Sequence, residues 1–117
     1  MFIKFAIAAA VGMFSFSAVA QPEICEEIRL IAESEAVEAQ PPLGHRVNGV
    51  DRTHLHSAPF ASCKTAVFVV PKDHLTAYKN FDDWWLVNYT HPVTGDVSEG
   101  WVKEARLVYT GTMGLTN

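Results

Sequence analysis

The sequence predicts a mainly β fold: a small barrel of about five strands with an N-terminal α-helix packed on it. Two observations predict it. From residue 52 onward, short apolar runs alternate with clusters of Gly, Pro, Asn and Asp, and no helical period intervenes. Before Pro41-Pro42, by contrast, apolar residues recur at helical spacing.

With 117 residues, the chain has room for one domain. Residues 1–20 read as a secretory signal peptide: Lys4, then an apolar run from Phe5 to Phe16, then Ala18-Val19-Ala20 as the cleavage site. The run is shorter than the roughly 20 residues of a membrane span, so no stable membrane insertion is expected after cleavage. Loss of Lys4 and of no acid takes the formal net charge from −4 to −5. An acidic protein of this kind is a poor ligand for nucleic acid or anionic membranes, which need clustered Lys and Arg. A periplasmic or secreted location follows. Cys25 and Cys63 are the only two cysteines. An even count in an exported chain favours one disulfide, with a free thiol or an intermolecular bridge as the alternatives.

The elements follow in order. Residues 21–42 form the helical segment. Pro22 suits a first turn, and Glu23, Glu26 and Glu27 suit the positive end of the helix dipole. Ile24, Ile28 and Ile31 define the apolar face of a helix from about Glu23 to Ala39, which Pro41-Pro42 stops. Leu43 to Arg52 reads as a linker, rich in turn formers. The β domain occupies residues 43–117. Thr53 and Leu55 alternate with His54 and His56 as a first strand, ended by Ser57-Ala58-Pro59. Ala66 to Val70 is a continuous apolar strand, and Pro71-Lys72-Asp73 a turn. Leu75 to Tyr78 and the aromatic run Trp84 to Thr90 flank a turn at Asn80 to Asp83. His91 to Asp96 is a hairpin loop, and Gly100 to Lys103 begins the return strand.

The His54 to Leu107 segment resembles the bacterial SH3 (SH3b) domain. The resemblance rests on Ser57-Ala58-Pro59 with Cys63-Lys64-Thr65 after it, and on Gly100-Trp101-Val102 followed by a short turn and Leu107. It covers about half of the chain. The Pro71-Lys72-Asp73 turn lacks the glycine often found there in the family, and the N-terminal helix with its own cysteine is an addition. The resemblance implies a small SH3-like barrel that binds rather than catalyses. In that family the unit targets enzymes to cell walls.

Each candidate functional residue also has an ordinary structural role open to it. Trp84 and Trp85 must point to opposite faces of their strand. One enters the core. The other forms an aromatic groove with Tyr78, Phe81 and Tyr89, or lies beneath the helix. Asp82 and Asp83 in the adjoining turn suit a cationic group on a ligand, or are simply a solvated turn. Tyr78, Phe81, Asp82, Asp83, Trp84 and Trp85 are therefore the expected binding residues. His54 and His56 share a strand face and could hold a metal with a third ligand from His45, Asp51 or His91, but none has diagnostic spacing. Exposed strand histidines are the plainer reading. The expected disulfide would consume Cys63, Ser57 and Ser62 lack a nucleophile-elbow context, and there is no phosphate-cradling glycine loop, so no catalytic residue, cofactor or metal is expected. The expected function is non-catalytic binding of a protein partner, for example as an immunity protein or inhibitor of a wall-degrading enzyme. The alternative is a module that binds peptidoglycan peptides.

Overall fold

A computed structural model describes residues 22–112, so the expected signal peptide lies outside the described residues. Helix α1 (Pro22–Glu35) precedes seven strands: β1 (Val37–Val47), β2 (Thr53–His56), β3 (Lys64–Val69), β4 (His74–Phe81), β5 (Trp84–Thr90), β6 (Val97–Lys103) and β7 (Leu107–Thr112). All pair antiparallel in one sheet, in the order β3-β2-β6-β5-β4-β1-β7. The mainly β class with one helix is as expected. The strand count is corrected from about five to seven, and the sheet is open: β3 and β7 end it, and no ladder joins them among the described residues. The sheet curls nonetheless, because Val69 of β3 and Val47 of β1 lie in the same core cluster, with Leu107 of β7 packed against it.

The five strands that alternation or apolar runs foretold are β2 to β6. The two additional strands, β1 and β7, pair with each other. Residues Leu43–Val47, expected as linker, are bonded on both sides, to β4 and to β7. The turn-forming residues misled here. Gly44 is buried within the strand, and Pro41-Pro42 fall where the β1–β4 register is interrupted, between Glu38 and Leu43, so their missing N–H groups break no ladder. The helix therefore ends at Glu35, not near Ala39. The amide of Ala36 closes its last turn on the Ala32 carbonyl at 2.8 Å, and Val37 and Glu38 pair with Asn80 and Lys79 instead. Pairing with β4 outweighs helix propensity at residues 37–39.

Alternation assigns every strand two faces. Leu55, Val69, Leu75, Ala77, Val87 and Val102 form the inner core, with Trp85 and Tyr89 packed on it. The outer face carries Trp84, Leu86 and Trp101, covered by Ala32 and flanked by Ala36 and Phe81. Helix α1 thus buries Cys25, Ala32 and part of Ile28 and Ala36, a stripe rotated from the expected Ile24, Ile28 and Ile31. Ala32 is fully buried, whereas Ile24 and Ile31 are 48 % and 56 % exposed.

The cause is the Cys25–Cys63 disulfide, which draws the cysteine side of the helix onto the sheet. The bridge spans 38 residues, for which chain-entropy arguments give about 4 kcal/mol. Alanine at position 32 lets the helix approach the Trp84 indole closely.

Two backbone positions carry a constraint. Lys72 has φ 79°, in the left-handed region that glycine adopts without steric cost. Gly100 is needed for a different reason. A Cβ there would lie 2.7 Å from Leu55 Cβ and 3.1 Å from the His56 carbonyl oxygen, because β6 crosses tightly against β2.

Two measurements check this packing. Gly100→Ala should lower stability by about 1–3 kcal/mol, since neither neighbour can yield without moving β2. Ala32→Asp should cost on the order of 3–5 kcal/mol through an uncompensated buried charge, while Ile31→Asp should leave the melting temperature nearly unchanged. Equal effects of the two helix substitutions would show that the helix docks by its isoleucine stripe after all.

Candidate functional site

The turn between β4 and β5 is a two-residue hairpin loop. Phe81 pairs with Trp84, and Asp82 takes φ 55°, a conformation that Asp tolerates better than most residues. Asn80 braces the turn from within, its Nδ2 donating to the carbonyl oxygens of Asp82 at 3.1 Å and Trp84 at 3.0 Å. The Asp83 carbonyl accepts from the Glu104 amide at 2.8 Å, tying the turn to the bend after β6.

The six expected binding residues fare differently here. Asp82 and Asp83 are exposed at the tip. Tyr78, Phe81 and Trp85 are half-buried, and Trp84 is 6 % exposed beneath α1. Trp85 lies on the inner side, 5.5 Å from the His45 ring. The helix thus covers the outer tryptophan, and the two indoles do not share one groove. Asp83 is also engaged: Lys103 Nζ donates to its carboxylate at 3.1 Å and holds its pKa below the ordinary carboxylate value.

A second constellation lies farther along the sheet, around β2 and the start of β3. Arg52, Lys64, Lys103 and Arg106 line a cleft of about 260 Å³ with Thr53, His54 and His56. These are four of the chain's nine lysines and arginines, and no Asp or Glu side chain lines the cleft. Its walls are ordered by specific contacts. The Arg52 guanidinium carbon sits 4.4 Å from the Phe68 ring centroid. Arg106 Nη2 donates to the Asp51 carbonyl at 3.0 Å. His54 Nδ1 donates to the Thr65 carbonyl at 2.9 Å and His56 Nδ1 to the His54 carbonyl at 3.1 Å, so both Nε2 atoms are left free of those bonds. Burial, above all, pushes the His56 pKa down, and the charges of His54 and Lys64 add to this.

Thr53 Oγ1 and Arg106 Nε are buried and have no hydrogen-bond partner among the described residues. Among the described residues, no group of three His, Cys, Asp or Glu side chains gathers as a metal site. Of this cleft, sequence reasoning had singled out only the histidine pair. The four cations are dispersed between positions 52 and 106 and form no run, so only the fold collects them.

Two further concavities flank the sheet. One of about 370 Å³ includes Gly44, His45, His74, Asn88 and Thr110. Another, of about 320 Å³, lies between the helix residues Arg29 and Glu33 and the sheet residues His56 and Trp101. In the first, His45 is buried between the Trp85 and Tyr109 rings. Burial lowers its pKa, against smaller opposing effects of the Leu43 carbonyl and Glu104. No family model, curated protein or solved structure matches the chain.

The lowered pKa values of His45 and His56 make stability pH-dependent. Their stabilising neutral state is fully present above the ordinary histidine value of about 6.5. As pH falls from there toward the lower folded values, the unfolded chain binds protons that the fold refuses, and stability declines. Thermal melts from pH 7.5 to 5 should show this decline, with a shallower slope for His45→Gln. An unchanged slope would mean that His45 takes up its proton within the folded chain.

Proposed function

We propose that the chain is an exported, non-catalytic binding protein built on an SH3b-like domain, which engages a protein partner. Inhibition of a wall-degrading enzyme, or immunity to one, is the role this reading favours. The observation that carries it is the outer edge of the sheet. Among the described residues strand β3 pairs only with β2, and Val67, Phe68 and Val70 at this edge are 45 %, 39 % and 42 % exposed, with Phe60 exposed close by in sequence. An open strand edge with apolar side chains suits addition of a partner strand, whose backbone bonds supply affinity and whose side chains supply specificity. A polar stem peptide offers less to such a surface.

The SH3b-like assignment is supported by the tight crossing of β6 on β2 at Gly100, which gives the Gly-Trp-Val sequence a structural meaning. Export is supported by the Cys25–Cys63 bridge, which persists in oxidising compartments. The exposed Asp82 and Asp83, with Phe81 behind them, serve as a second contact for a cationic group of the partner; Tyr78, Trp84 and Trp85 support that turn. Binding of peptidoglycan peptides is the competing reading.

A direct comparison separates the two. The purified mature protein should slow the clearing of a peptidoglycan suspension by one member of a panel of wall hydrolases, and should stay in the supernatant when peptidoglycan alone is pelleted. Val67→Glu should abolish the inhibition with little change in melting temperature, because the side chain is nearly half exposed. Sedimentation with the wall, together with no effect on any hydrolase, would replace this reading with that of a wall-binding module.

A further inference from the structure

The cleft between β2, β3 and the bend after β6 has a chemistry that the apolar edge alone does not explain. We propose that it is an anion subsite that takes a carboxylate side chain from an acidic, extended partner segment lying along β3; the proposal rests on the reading of that edge as the partner surface. Three observations carry it.

The first is charge. Four cations surround a concavity that no acidic side chain lines; Lys103 is paired with Asp83 from outside it, which leaves Arg52, Lys64 and Arg106 without a carboxylate partner among the described residues, in a chain whose net charge is −4. Like charges gathered in one place repel one another, and an anion between them relieves that repulsion. The second is hydrogen bonding. Thr53 is 6 % exposed, its hydroxyl lacks a partner among the described residues, and Arg106 Nε in the same cleft lining is likewise buried and unpaired among them. Both groups can donate, and a buried donor without an acceptor costs roughly 1–3 kcal/mol. A carboxylate oxygen supplies the acceptor. The third is preorganisation. Arg52 is held against Phe68, Arg106 is held by the 51–52 backbone, and both histidines have their Nδ1 atoms committed to carbonyls. Little side-chain freedom remains to be lost on binding.

The choice of a carboxylate over a polyanion follows from the rest of the surface. Nucleic acid needs a long basic track. Here the cationic region is one cleft of about 260 Å³, and the acids Asp82 and Asp83 stand on its Lys103 side. A short acidic segment with an apolar neighbour matches both the cleft and the partly exposed Phe68 that Arg52 and His54 touch. Guanidinium groups at Arg52 and Arg106 suit planar carboxylates.

The test uses the mature protein and two pools of acetylated, amidated heptapeptides. One alternates Glu with Val and Leu; the other replaces each Glu by Gln. Amide chemical shifts should move at residues 52–56, 64–69 and 103–107 with the Glu pool only. Arg52→Gln combined with Lys64→Gln should weaken binding at least tenfold. Both residues are exposed, so melting temperature should hold. Affinity should also fall as salt is raised from about 50 to 500 mM.

No shifts up to millimolar peptide, equal binding of the Gln pool, or shifts at Asp82 and Asp83 instead would overturn the proposal. So would a thymidine decamer or inorganic phosphate that binds this cleft as tightly as the Glu pool, which would make it a general polyanion or adventitious-ion site. Failure of the partner reading looks different: the Glu pool binds the cleft, yet no hydrolase is inhibited. Inhibition that the double variant leaves intact would sink the cleft proposal and leave the partner reading standing.

Discussion

The register of helix α1 on the sheet governs much of what the surface can do. The Cys25–Cys63 bridge, with Ala58 against it and Ile28 at its side, fixes which face of the helix is buried. Once Cys25 points inward, Ala32 must follow two helical turns on, and it meets Trp84. The helix then roofs Trp84, Leu86 and Trp101, burying aromatic surface that would otherwise lie bare on an outer sheet face. The same register turns Ile24 and Ile31 outward, and it brings Arg29 and Glu33 as far as His56 and Trp101, with the cleft beyond them. One covalent link therefore separates a structural half of this face from an accessible half.

The inner face depends on a different constraint. Its residues come from β1 through β6, so the sheet must curl until β3 and β1 share a core, although the end strands never pair. Gly100 makes the curl possible by letting β6 press against Leu55 and the His56 backbone. Trp101 and Val102 immediately after it then face opposite ways, one toward the helix and one into the core. Three consecutive residues thus join both hydrophobic layers, which accounts for the compact Gly-Trp-Val signal in the sequence.

Much of the β architecture was legible because alternation and turn chemistry are local. Strands β2 to β6 all stand out in that way, as does the two-acid turn between β4 and β5. Strand β1 was hidden because its code is not local. Pro41-Pro42 and Gly44 read as breakers, yet they sit at a register interruption and at a buried position between two neighbours. The helix face was misjudged for a related reason. Three isoleucines outweigh a cysteine and two alanines on any hydrophobicity scale, but a disulfide and a bulky indole reward the small face. Of the binding residues, the pattern located the exposed acids. It could not tell which tryptophan the helix would cover, since alternation gives opposite faces without saying which is which.

The electrostatic layout follows from the fold and not from composition. An acidic chain gathers Arg52, Lys64, Lys103 and Arg106 around one cleft, while Asp83 neutralises Lys103 from the side of the hairpin turn. The Lys103–Asp83 pair is solvent-exposed, so its own contribution to stability is small. Its geometric effect is larger: it marks a boundary where the surface changes from acidic to basic within a single salt bridge. The Asp82 and Asp83 carboxylates stand on one side of this boundary and the cationic cleft on the other. The pair itself joins β6 to the β4–β5 turn, two strands in from the β3 edge. Backbone pairing at an open edge is indifferent to sequence, so this charge asymmetry is the feature that can confer choice among partners.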